Sequence, residues 1–116
     1  VHYPFLESHP QVELARQQMR WGGAILTLDV RGGFEAVNAL TQALQIASIS
    51  PNLGDTRTIL THPASTTHSK LSPADRAAVG ITDGLVRVAV GLEAVEDLVG
   101  DFEQALAKIA EPVDVI

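Results

Sequence analysis

The chain has 116 residues, enough for one domain with a buried core, and its 14 acidic against 8 basic residues give a net charge of -6. The basic residues are scattered, which argues against a nucleic-acid partner, since binders of a phosphate backbone carry basic clusters. Without cysteine there are no disulfides or thiolate metal sites, which is compatible with the cytosol, and no apolar run approaches the roughly 20 residues of a membrane helix. The chain opens on Val1, shows no signal-peptide pattern and runs straight into Tyr3-Pro4, which reads as a piece of a longer polypeptide.

Residues 1–7 have no clear period and form an extended lead-in. Ser8-His9-Pro10 is a helix-start signal, a capping hydroxyl followed by proline, and predicts a short helix to about Trp21 with Val12, Ala15 and Met19 on one stripe. Gly22-Gly23 breaks it. In residues 24–31, Ile25, Thr27 and Asp29 alternate with Leu26, Leu28 and Val30, the pattern of a half-buried strand. After Gly32-Gly33, residues 34–47 predict a long helix with Phe34, Val37, Leu40, Leu44 and Ala47 facing the core. Ser48-Ile49-Ser50 reads as a brief strand, Asn52-Leu53-Gly54-Asp55 as a turn, and residues 56–61 as a returning strand that His62-Pro63 stops.

Residues 64–71 are hydroxyl-rich and aperiodic, hence a loop. Ser72-Pro73 starts another helix, which Gly80 ends with a left-handed cap. A strand follows in which Val86, Val88 and Val90 share one face, and Leu85, Arg87 and Ala89 the other. The last helix spans residues 94–110, with Val95, Leu98, Val99, Phe102, Leu106 and Ile109 as its stripe. Glu96, Asp97 and Asp101 crowd its first half, and Lys108 its end, as the helix dipole prefers. Gly100 weakens it by ~1 kcal/mol relative to alanine. The order α-β-α-β-β-α-β-α predicts an α+β domain: a small, mostly antiparallel sheet with the long helices on its valine face.

Arg87 is the anomaly. A guanidinium in mid-strand must find an anion or water. The strand pattern alone favours a solvated face or a structural ion pair; the alternative is a fork aimed at a ligand carboxylate, which arginine's planar geometry suits. Other chemistry is thinner. His9, His62 and His68 match no compact metal-ligand spacing. Ser65, Thr66, Thr67 and His68 could suggest a nucleophile and its base, but sequence neighbours rarely form that pair, and a loop bonding its own backbone explains them better. The double glycines are not phosphate loops, and Glu96-Asp97 form no catalytic dyad.

Four segments nevertheless resemble a known family when taken in order: Leu6-Glu7-Ser8-His9-Pro10, Asn52-Leu53-Gly54-Asp55, Thr61-His62-Pro63-Ala64-Ser65-Thr66-Thr67-His68, and the strand running from Gly84 through Arg87 to Glu93. Together they are similar to the C-terminal domain of the Cys/Met-metabolism pyridoxal-phosphate enzymes, the cystathionine γ-synthase-like family, and most of all to its O-succinylhomoserine sulfhydrylases. The resemblance covers essentially the whole chain. It implies residues 1–116 as a single C-terminal domain of a longer, cytoplasmic, tetrameric enzyme, whose absent large domain carries the cofactor lysine. Lys70 and Lys108 have the wrong surroundings for that role, so the resemblance implies no catalytic residue here and an inactive fragment. It assigns Arg87 to the α-carboxylate of the amino-acid substrate, Asn52 to the same carboxylate and Thr67 to the border of the site.

The implied chemistry uses pyridoxal 5'-phosphate as an electron sink: the γ-acyloxy group of an O-acylhomoserine leaves and sulfide or cysteine adds. A synthase or a methionine γ-lyase stays open beside the sulfhydrylase. So do a free-standing amino-acid-binding regulatory module and a purely structural domain with Arg87 in an interdomain ion pair.

Overall fold

The computed structural model describes residues 1–109. Four strands, β1 (Ile25–Asp29), β2 (Ser48–Ile49), β3 (Ile59–Thr61) and β4 (Leu85–Ala89), form one sheet in the order β1-β4-β3-β2. β4 is antiparallel to both β1 and β3, and only the short β2–β3 pair is parallel. The domain is thus α+β with a mostly antiparallel, mixed sheet. Helices α1 (Val12–Gln18), α2 (Gly33–Ala43), α3 (Pro73–Ala78) and α4 (Val95–Ile109) interleave with the strands as the sequence pattern predicts. The far end of the last predicted helix, Ala110, lies outside the described residues.

The register dictates which side chains meet. Leu26 faces Val88, Leu28 faces Val86 and Leu60 faces Val88, so these five share one side of the sheet. Val37 of α2 and Phe102 of α4 pack on that side, closing a core with Ala47, Leu60, Val86 and Val88. Val90 is the exception to the predicted valine face. It lies one residue past the strand and is exposed, its amide bonding to Ala24. The opposite face is less open than the pattern implies, because Ile59, Thr61 and Ala89 are buried on it and Arg87 half-buried.

In α2, α4 and β3 the departure from the expected pattern has a tertiary bond as its reason. Helix α2 stops at Ala43, not Ala47, because the next amides turn to a carboxylate. Asp101 takes Gln45 N–H on Oδ1 at 2.8 Å, with Ile46 and Ala47 N–H on Oδ2 at 2.8 and 3.3 Å. Gln104 Nε2 donates to the free carbonyl of Ala43 at 2.6 Å, satisfying an orphan of the helix end. Asp101 is therefore a buried anchor and not a solvated member of an acidic helix face. Burial alone would raise its carboxyl, but the backbone amides and Gln104 outweigh that and hold it below the usual range.

Its inward position also turns α4. Leu98, Asp101 and Ala105 are buried, while Val95, Val99 and Leu106 of the predicted stripe are exposed. β3 begins at Ile59 because the Thr58 amide donates to Glu93 Oε2 at 2.8 Å, although the Thr58 carbonyl still accepts Ser48 N–H at 3.0 Å. Phe34 is likewise exposed, its ring meeting His62 edge-on at 5.3 Å.

The helix ends show which local signals acted. Ser72 Oγ caps α3, accepting from Asp75 N–H at 3.1 Å, and Gly80 at φ +81° closes it. There Ile81 N–H reaches the Arg76 carbonyl and Gly80 N–H that of Ala77, a Schellman arrangement. Ser8, by contrast, does not cap α1. The helix starts at Val12, and His9 Nδ1 accepts the Gln11 amide instead. It also ends early, at Gln18, since Met19 and Trp21 are exposed and bury nothing that would extend it.

Candidate functional site

Arg87 sits at the middle of β4, between Thr27 on β1 and Thr61 on β3. Its flanking strand partners are neutral, and so are its hydrogen-bond partners. The two hydrogens of Nη2 are shared among three acceptors, the carbonyls of Pro51 and Asn52 at 3.1 and 3.0 Å and Thr61 Oγ1 at 3.2 Å. Among the described residues Nη1 has no partner, and buried Nε has none either. The ion pairs of the described residues involve Arg16 with Glu7 and Glu13, and Arg57 with Asp55, never Arg87. The guanidinium is thus fixed in place by neutral oxygens and retains its whole charge. A half-buried cation in this state can bind an anion with the fork geometry of a carboxylate pair.

The loop that meets it is braced at both ends. At its start, the Pro51 and Asn52 carbonyls lie on Nη2. At its end, Glu93 accepts Thr58 N–H and Thr58 Oγ1–H, each at 2.8 Å, and Thr58 Oγ1 accepts Gly91 N–H at 2.9 Å. The Thr58 amide is the main cause of a Glu93 carboxyl held below its ordinary value. Asn52 therefore reaches Arg87 through its backbone, which leaves its exposed side-chain amide without a bond among the described residues. Thr67 is not brought to Arg87. It is exposed and its hydroxyl pairs with His68 Nδ1 at 2.8 Å. Thr66, its neighbour, lines a cleft of about 200 Å³ together with Phe34, Ile49, Pro51, Thr61 and His62.

Sequence reasoning missed Thr61 and His62 as parts of this region. His62 is buried, with Nε2 2.6 Å from the Asp83 carbonyl and Nδ1 2.7 Å from Ser65 Oγ. A nitrogen facing a carbonyl carries a proton, and in the neutral ring Ser65 then donates to Nδ1. That ring ties the 3₁₀ turn at Pro63–Ser65 to the turn before β4. The Thr66 hydroxyl bonds within its own loop, to the His62 carbonyl at 2.7 Å, and His9 serves α1. Among the described residues no three His, Asp or Glu side chains cluster as metal ligands, and no helix is long and apolar enough to cross a membrane.

Comparison with known proteins fixes the family. Residues 1–107 match the family described as Cys/Met metabolism PLP-dependent enzyme, and the chain belongs to it. An L-methionine γ-lyase of Fusobacterium nucleatum subsp. polymorphum is 51% identical over 109 residues, covering 94% of this chain and 28% of that protein. An O-succinylhomoserine sulfhydrylase of Pseudomonas aeruginosa is 50% identical over 109 residues, covering 94% and 27%. Among solved structures, cystathionine γ-synthase from Xanthomonas oryzae pv. oryzae, in complex with cystathionine, superposes with a TM-score of 0.85 at 36% identity, over 92% of this chain and 28% of that one. The chain thus spans little more than a quarter of the relatives it matches.

Pyridoxal phosphate is the family's cofactor. The residues described do not fit it by themselves. A lysine that forms a Schiff base has to be desolvated to act as an amine. The two lysines here, Lys70 in the loop before α3 and Lys108 in the last turn of α4, are both exposed.

Proposed function

We propose that this chain is the C-terminal, substrate-orienting domain of a longer cytoplasmic enzyme of sulfur amino-acid metabolism, and that Arg87 grips the substrate's α-carboxylate. The observation that carries this reading is the arginine's state: half-buried, held by three neutral oxygens, and without a carboxylate partner among the described residues. Asn52 presents its amide to the same carboxylate; Thr67 itself stays turned to His68, and its loop borders the site through Thr66. The cofactor and its lysine come from the rest of the protein, so the fragment alone is inactive. The complete enzyme is a homotetramer.

The substrate we assign is O-succinylhomoserine or another O-acylhomoserine, with sulfide or cysteine as the sulfur donor and homocysteine as the product with sulfide. Identity of 50% to a sulfhydrylase supports it. A second reading, methionine γ-lyase, is supported by the equally similar relatives of that name. Assaying the complete enzyme on O-succinylhomoserine with sulfide, and on methionine alone, separates the two.

Arg87→Ala in the complete enzyme tests the site itself. The expected result is a loss of substrate binding of roughly 1.5–3 kcal/mol, the range for a hydrogen bond to a charged group, read as a raised KM. Unchanged kinetics would remove the assignment.

A further inference from the structure

Of the three acceptors on Arg87 Nη2, two are backbone carbonyls and one is a side chain, Thr61 Oγ1. Thr61 is 2% exposed and stands opposite Arg87 across the β3–β4 pair, on the same face. Its single hydroxyl proton is already committed. Oγ1–H donates to the Ser50 carbonyl at 2.5 Å, so the lone pairs are what face the guanidinium. One buried hydroxyl therefore joins the arginine to the peptide that leads directly into Pro51 and Asn52. Donation to Ser50 polarises the oxygen and strengthens its acceptance from Nη2.

From this geometry we infer that Thr61 is a positioning residue for carboxylate recognition. It aims the guanidinium and sets the Pro51-Asn52 segment beside it, and because it is neutral it does so without cancelling the charge that the ligand needs. A carboxylate in the same place would also hold Arg87, but as an ion pair that competes with the ligand. The inference rests on the reading of Arg87 as the carboxylate grip.

The test compares hydroxyl-keeping and hydroxyl-losing variants of the complete enzyme. Thr61→Val preserves shape and removes the hydroxyl; Thr61→Ser keeps it. The readouts are KM and kcat for the amino-acid substrate, and inhibition by the corresponding amine that lacks the carboxylate. Thr61→Val is expected to raise KM roughly tenfold, as for one lost hydrogen bond to a charged group, with kcat changed less than about twofold. Amine inhibition should stay at the wild-type level, and Thr61→Ser should restore KM. If Thr61→Val does not fold, Thr61→Ala against Thr61→Ser gives the same contrast.

A wild-type KM in the hydroxyl-less variant, or amine and amino acid weakened alike, overturns the inference. Arg87→Ala is measured alongside. If it too leaves KM unchanged, the carboxylate reading itself has failed; if it raises KM while Thr61→Val does not, only the role of Thr61 has.

Discussion

The guanidinium of Arg87 and the carboxylate of Asp101 are both charged groups inside a small domain, and they are satisfied in opposite ways. Asp101 is saturated: three backbone amides and the Gln104 side chain converge on its two oxygens. Arg87 is only half-satisfied, with Nε and Nη1 unpartnered among the described residues. A saturated buried charge is an anchor, while a braced but incompletely paired one is available to a ligand.

The anchoring role of Asp101 has a measurable consequence. Asp101→Asn puts an amide among amide donors and should destabilise the protein by about 1.5–3 kcal/mol in denaturant unfolding at neutral pH. The sign with pH follows from its lowered carboxyl. The stability it contributes is present above the unfolded carboxyl's range, near 4, and is lost as pH falls through the folded value. Wild type and Asp101→Asn should therefore converge as the pH is lowered; a difference independent of pH would contradict this.

At the scale of elements, every predicted helix and strand exists, because periodicity and turn residues are local signals. The Ser72 cap and the Gly80 stop could be read directly, since each depends only on its neighbours in sequence. Outside α1, the errors are long-range. Nothing near Gln45 reveals that Asp101, more than fifty residues on, will take its amide and end α2. A sequence signal did exist: Asp101 falls between Leu98 and Ala105 on the buried stripe of α4. Arg87 was legible because a charge in a valine strand is conspicuous, whereas Thr61 is an ordinary strand residue until the register sets it opposite the arginine.

Between β4 and α4, Gly91 fixes how closely the chain passes the loop after Asp55. A Cβ there would lie 2.3 Å from the Thr56 carbonyl oxygen and 2.4 Å from Arg57 C, backbone atoms that cannot yield. Gly91→Ala should cost about 1–3 kcal/mol, the range for overpacking, and a thermal or denaturant midpoint equal to wild type would show that the loop moves freely.

Over the whole molecule, an acidic chain of net charge -6 keeps one arginine on a sheet face, with neutral partners, beside an exposed asparagine. The fold spans little more than a quarter of its relatives, and in the function proposed for it this domain presents groups to a ligand whose reacting end lies elsewhere. The most direct measurement pairs two deletions in the complete enzyme: the guanidinium, by Arg87→Ala, and the ligand's carboxylate, by replacing the amino acid with the amine that lacks it. If the two groups touch, the losses are not additive. Wild type should then prefer the amino acid over the amine by about 10–150-fold, and the variant by less than about twofold. The same preference in both proteins would contradict the account.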